Sequence, residues 1–159
     1  MDEIKEKKVE DTKMAIINYK GNVKDMGVLI AQLTTWAEVE GVEITGPPFS
    51  IYYTSPKLVE EDEMIYDMGV PVNDSTPTTG HHENKDKIQV VELLEHTVVY
   101  TIHKGPYTTL EETYKKLAEF TIKYNYDIIG SPKEIYFNSP LEVEESELVT
   151  EVQFPVIKM

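Results

Sequence analysis

Laid on itself with a shift of 84 positions, the chain aligns residues 14 to 72 with residues 98 to 156 without a gap, and about a quarter of the pairs are identical. An internal duplication of this kind obliges both halves to fold alike. The identities fall on structural punctuation: Lys20-Gly21 with Lys104-Gly105, Gly46 with Gly130, Pro48 with Pro132, Ile51-Tyr52 with Ile135-Tyr136, Ser55-Pro56 with Ser139-Pro140, and Pro71-Val72 with Pro155-Val156. In the second half VVYTIH is β-branched and aromatic and stops at Gly105-Pro106, which reads as a strand ending in a turn. TTLEETYKKLAEFTIKY then sets Leu110, Tyr114, Leu117, Thr121 and Tyr124 at helical spacing, with Thr108 and Glu111 as a capping box. EIYFN and ELVTEVQFPV alternate like strands. The first half follows suit: strand AIINY, Asp25 as N-cap, an apolar stripe Met26, Ile30, Leu33 and Ala37, and Gly41 as left-handed C-cap.

Each repeat is therefore a βαββ unit, repeat one over about 5–72 and repeat two over about 87–157, joined by an exposed loop at about 73–86. The expected fold class is α+β: one domain over 1–159, its two repeats forming a single antiparallel curved sheet with both helices on one face and a ligand cleft on the other. A chain of 159 residues suits one domain.

Composition narrows the function. The net charge of −14, with 29 acidic residues, argues against direct nucleic-acid binding, and every basic side chain is lysine, so the bidentate fork of arginine is absent. Without cysteine there is neither a disulfide framework nor a thiol nucleophile. The charged N-terminus MDEIKEKKVEDTK and the lack of any long apolar run point to a soluble, cytoplasmic protein with no membrane contact. Nothing suggests a cofactor. No metal is expected either, since His81 and His82 are adjacent in a polar loop before Glu83 and lack the spacing that puts two ligands on one face. The acidic runs at 59–63 and 142–145 read as solvated turns, with docking to a basic protein partner as the alternative. Strand edges could pair in a dimer, yet the sequence leaves the oligomeric state open.

KGPYTTLEETYKKL, GSPKEIYFNSP followed by EVEESELVTEVQFPV, and GPPFSIYYTSP resemble the GyrI-like small-molecule-binding domain over nearly the whole chain. The resemblance implies the effector-binding fold of MerR-type multidrug regulators and AraC-type activators, here without a preceding helix-turn-helix. It also implies that the glutamate of the EIY motif, Glu134, meets cationic ligands, or serves catalysis in a branch that hydrolyses strained cyclopropane toxins. Another member inhibits gyrase, which gives the protein-partner reading a precedent.

Repeat one carries Ser50 where repeat two carries Glu134. Alternation predicts that Glu134, Tyr136 and Asn138 share the cleft side with Ser50, Tyr52 and Thr54, and that Ile135 and Phe137 face the helices with Ile51 and Tyr53. In the last strands Leu148, Val152 and Phe154 are assigned to the helices, which leaves Val149, Glu151, Ile65 and Asp67 on the cleft side. The expected ligand-binding set is thus Glu134, Tyr136, Tyr52, Ser50, Val149, Glu151 and Ile65, and an aromatic-lined carboxylate suits a hydrophobic, cationic small molecule. Catalysis is not expected; if the chain were a hydrolase, Glu134 would be its general base. Trp36 is assigned to the core, and Tyr19 and His103 are candidate rim residues.

Overall fold

The computed structural model describes residues 3–79 and 88–159, and its fold is α+β, with two α-helices and antiparallel strands. The chain divides into two compact units, Asp11–Leu94 (the first unit) and Met1–Glu10 with Glu95–Met159 (the second unit). The residues His81, His82 and Glu83 lie outside the described part.

In the first unit β2 (Thr12–Lys20) runs between β4 (Ile65–Val72) and β5 (Gln89–Leu93), and β3 (Phe49–Tyr52) pairs with the other edge of β4. Helix α1 (Met26–Glu40) buries Leu29, Leu33 and Ala37, while Met26 and Ile30 are half-buried, so the expected stripe is displaced slightly around the helix. Gly41 closes the helix at φ 68°, a left-handed cap that a side chain would strain. Asp25 occupies the N-cap position but makes no cap bond; its carboxylate accepts the Tyr19 hydroxyl instead. The cap is made by Asn22, whose side chain accepts from the Lys24 N–H at 2.9 Å ahead of a short 3-10 turn.

The second unit repeats the plan. β6 (His96–Lys104) lies between β1 (Lys5–Val9) and β9 (Val149–Lys158), and both β8 (Lys133–Tyr136) and β7 (Tyr126–Ile128) pair with β9. Helix α2 (Leu110–Lys123) packs Leu110 and Leu117 onto Val99, Val152, Phe154 and Val156, and burial of each aliphatic side chain contributes about 1.5–3 kcal/mol. The capping box expected at Thr108 and Glu111 does not form. Thr108 sits inside a 3-10 turn, and Thr109, now at the N-cap, spends its hydroxyl on the Pro106 carbonyl at 2.8 Å.

Each unit is thus βαββ with one added strand from a distant part of the chain, and the second unit also carries the short β7 on β9. β5 joins the first unit through β2, and β1 joins the second through β6. Gly69 on β4 is a close-approach position: a Cβ there would lie 2.6 Å from Phe49 Cζ and 2.8 Å from Ile16 Cγ2. A Gly69→Ala variant is expected to lose about 1–2 kcal/mol through overpacking, visible as a lower urea midpoint with an unchanged slope.

Candidate functional site

In an antiparallel pair, directly opposed residues share a face. Glu134 is opposed to Val152, and Tyr136 to Thr150. Val152 belongs to the core under α2, so Glu134 and Tyr136 point toward the helix and not away from it. This corrects the expected faces. Ile135 is opposed to Glu151, which places Val149 and Glu151 with Ile135 on the side opposite to Glu134 and Tyr136. Phe137, expected under the helix, is half exposed. The same parity holds in the first unit, where Ser50 and Tyr52 are opposed to Met68 and Tyr66, while Ile51 is opposed to Asp67. Ile65 shares the parity of Asp67 and so is separated from Ser50 and Tyr52 as well.

Glu134 is only 6% exposed. Its Oε2 accepts the hydroxyl of Tyr114 from α2, and its Oε1 accepts the hydroxyl of Tyr136 at 2.8 Å. The ring of Tyr114 packs on Phe154 at 5.7 Å, and the ring of Tyr107, from the turn before α2, meets Tyr136 edge to face at 5.9 Å. Burial, and then the charge of Glu134, raise the Tyr107 hydroxyl above its ordinary pKa, so this phenol stays protonated at neutral pH. Thr150, opposed to both Tyr136 and His103, is fully buried on this face, and its Oγ1 has no hydrogen-bond partner among the described residues. Chemically this is a carboxylate that accepts two phenols, with the rings of Tyr107 and Phe154 packed against those phenols.

His103, proposed for a rim, is buried: Nδ1 lies 2.7 Å from Thr113 Oγ1 and Nε2 lies 3.1 Å from the Pro106 carbonyl, a pairing that pins the start of α2 to β6. In the first unit the positions equivalent to His103, Glu134, Tyr136 and Thr150 carry Tyr19, Ser50, Tyr52 and Tyr66, and those equivalent to Tyr107 and Tyr114 carry Val23 and Ile30. Ser50 is fully buried where Glu134 stands in the repeat. Tyr52 and Tyr19 pack on Tyr66 at 5.8 and 5.6 Å, and Tyr66 donates to the Asn22 carbonyl at 3.0 Å. Burial, then the neighbouring Tyr19 and Asp25, raise the Tyr66 hydroxyl far above the usual phenol range. Trp36 is half-buried on α1.

The residues missed in the sequence are Tyr107, Tyr114 and Thr150. Tyr114 was visible as part of the helical stripe, and combining that stripe with a helix-facing Glu134 would have found it. Among the described residues no group of three or more acidic or histidine side chains is placed to hold a metal, and no helix is long and apolar enough to cross a membrane.

Comparison with known proteins adds a family and a fold. The model of the GyrI-like small molecule binding domain matches residues 2–157. No curated protein matches the chain. The crystal structure of the EcmrR C-terminal domain superposes with TM-score 0.81 at 24% identity, covering 99% of this chain and 98% of that one. The chain spans 58% of the length of EcmrR as seen in its DNA complex. A hydrolase from Listeria innocua superposes with TM-score 0.73 at 13% identity, covering 97% and 91% of the two chains. SAV2435 bound to tetraphenylphosphonium superposes with TM-score 0.56 at 12% identity, covering 98% and 94%.

Proposed function

The chain belongs to the GyrI-like small-molecule-binding domain family, and from that premise we propose that it binds a hydrophobic organic cation at Glu134, in the cytoplasm, as a sensor or sequestering protein. The observation that carries the reading is the burial of a carboxylate among tyrosine rings: Glu134 is held by the hydroxyls of Tyr114 and Tyr136, with Tyr107 and Phe154 packed beside them. A cation that reached this carboxylate would gain a charge contact in a water-poor setting, and each ring face would add about 0.5–2 kcal/mol. A neutral ligand would gain only apolar burial, and an anion would be repelled. The hydroxyl bonds hold Glu134 in place before the ligand arrives, which lowers the ordering cost of binding. Entry requires the rings to swing aside, because so little of Glu134 reaches the surface. The chemistry read here is recognition: a buried charge set among rings.

A thermal-shift series with three compounds of similar size tests the proposal: tetraphenylphosphonium, neutral triphenylphosphine oxide and the tetraphenylborate anion. At a hundred times its dissociation constant, a ligand that binds only the folded state stabilises it by about 2.7 kcal/mol. The cation is expected to raise the midpoint and the anion to leave it unchanged. Equal shifts from cation and anion, or no shift from the cation, would overturn the assignment.

A further inference from the structure

The other face of the same sheet carries a second polar cluster that the Glu134 reading does not use. Lys133 is opposed to Gln153, Gln153 to Tyr100, and Tyr100 to Lys5, so these four side chains rise in one row from β8, β9, β6 and β1. Glu151 stands two residues along β9 on the same side. It is buried, and both of its donors converge on one oxygen: Lys7 Nζ and Gln153 Nε2 each lie 2.7 Å from Oε2. Lys7 Nζ also lies 4.2 Å from the centre of the Tyr100 ring. Gln153 is only 3% exposed, and its Oε1 has no hydrogen-bond partner among the described residues. Buried amide oxygens are rarely left unpaired in native proteins, so this one requires an explanation.

The repeat supplies a control. The positions equivalent to Tyr100, Lys133 and Gln153 in the first unit are Ile16, Phe49 and Gly69, where a ring lies close to a glycine and none of the three side chains is polar. The fold therefore does not need polar groups there. The charge of the row is also unusual for this chain: Lys5, Lys7 and Lys133 share this face with Glu151, in a protein whose net charge is −14. Burial holds the Lys133 ammonium down to about 8; Glu151 pulls it back up only in part, and Lys7 pushes it lower. An anion beside Lys133 would offset that burial.

We propose that Lys133 and Gln153 form a binding site for a small carboxylate bearing an adjacent hydroxyl or N–H donor, the carboxylate meeting the Lys133 ammonium and the donor meeting Gln153 Oε1. Lys7 and Tyr100 wall the site on the β1 side, and Glu151 fixes the Gln153 amide so that its oxygen points at the ligand. The site is independent of Glu134, which lies on the opposite face.

Glycolate and acetate, which differ by one hydroxyl, are the probes. In an NMR titration at pH 7 that follows the Gln153 side-chain amide and the Lys133 ε-carbon, glycolate is expected to shift both signals to saturation and acetate to bind about tenfold more weakly. Gln153→Met should remove the preference for glycolate while acetate still binds. Lys133→Met, which replaces a buried charge by an apolar chain of similar length, should remove binding of both. Absence of a saturable shift, equal affinity for the two acids, or undiminished binding by a folded Lys133→Met protein would overturn the proposal.

Discussion

A Glu134→Gln variant is expected to bind tetraphenylphosphonium about a hundredfold more weakly than the native protein while folding almost as well. The substitution keeps the shape of the side chain and removes only its charge. Loss of one partner from a desolvated charge contact costs about 2–5 kcal/mol, and every 1.4 kcal/mol is a factor of ten in affinity. Stability should change by about 1 kcal/mol or less, because the glutamine oxygen can accept one of the two phenols that Glu134 now accepts and its amide can donate to the other. Calorimetric titration beside a urea melt separates the two effects. Native-like affinity in the variant would mean that Glu134 is a structural bridge between α2 and β8 and that the cation, if bound at all, sits elsewhere.

The second large effect concerns stability and pH. A Lys133→Met variant is expected to be more stable than the native protein at pH 7, by up to about 3 kcal/mol. Lys133 has a folded-state pKa of about 8 against an ordinary value of 10.5, chiefly because it is buried. Between those values the unfolded chain holds a proton that the folded chain has released, so native stability should rise as the pH climbs from about 8 toward 10.5. Below about 8 both states are protonated and the full cost of burying the ammonium is present. Methionine removes that cost, so the variant should gain most at neutral pH and lose the rise above pH 8. Tyr19, Tyr53, Tyr66, Tyr107 and Tyr126 have raised pKa values, and their stabilising effect disappears only at higher pH. Urea unfolding at pH 7, 8.5 and 9.5 therefore isolates Lys133. Parallel curves for the two proteins across this range would show that the lysine is not held below its ordinary pKa.

Both effects turn on β8. The shift of 84 singled out Glu134 because serine stands in its place in the other repeat, and that distinction is reproduced as a buried carboxylate against a buried serine. The face of the strand was assigned the wrong way round. KEIY has an isoleucine on one side and a tyrosine on the other, so both sides look equally apolar and alternation alone cannot tell them apart. A longer strand with one plainly polar side would have been legible.

What the sequence by itself determined was local: the order of strands and helices within each repeat, the turns at Gly-Pro and Ser-Pro, and the glycine that closes α1. These follow from backbone propensity and side-chain period, which act over a few residues. The tertiary structure decided which strands pair and therefore which side chains meet. Lys5 is opposed to Tyr100, about 95 residues away, and Met14 to Val91, contacts for which no local pattern exists. The register of β8 on β9 turned Glu134 toward Tyr114 and left Lys133 and Gln153 together on the other side. Hydrogen-bond register is a property of two strands at once, and a shift of one residue in either would exchange the two faces.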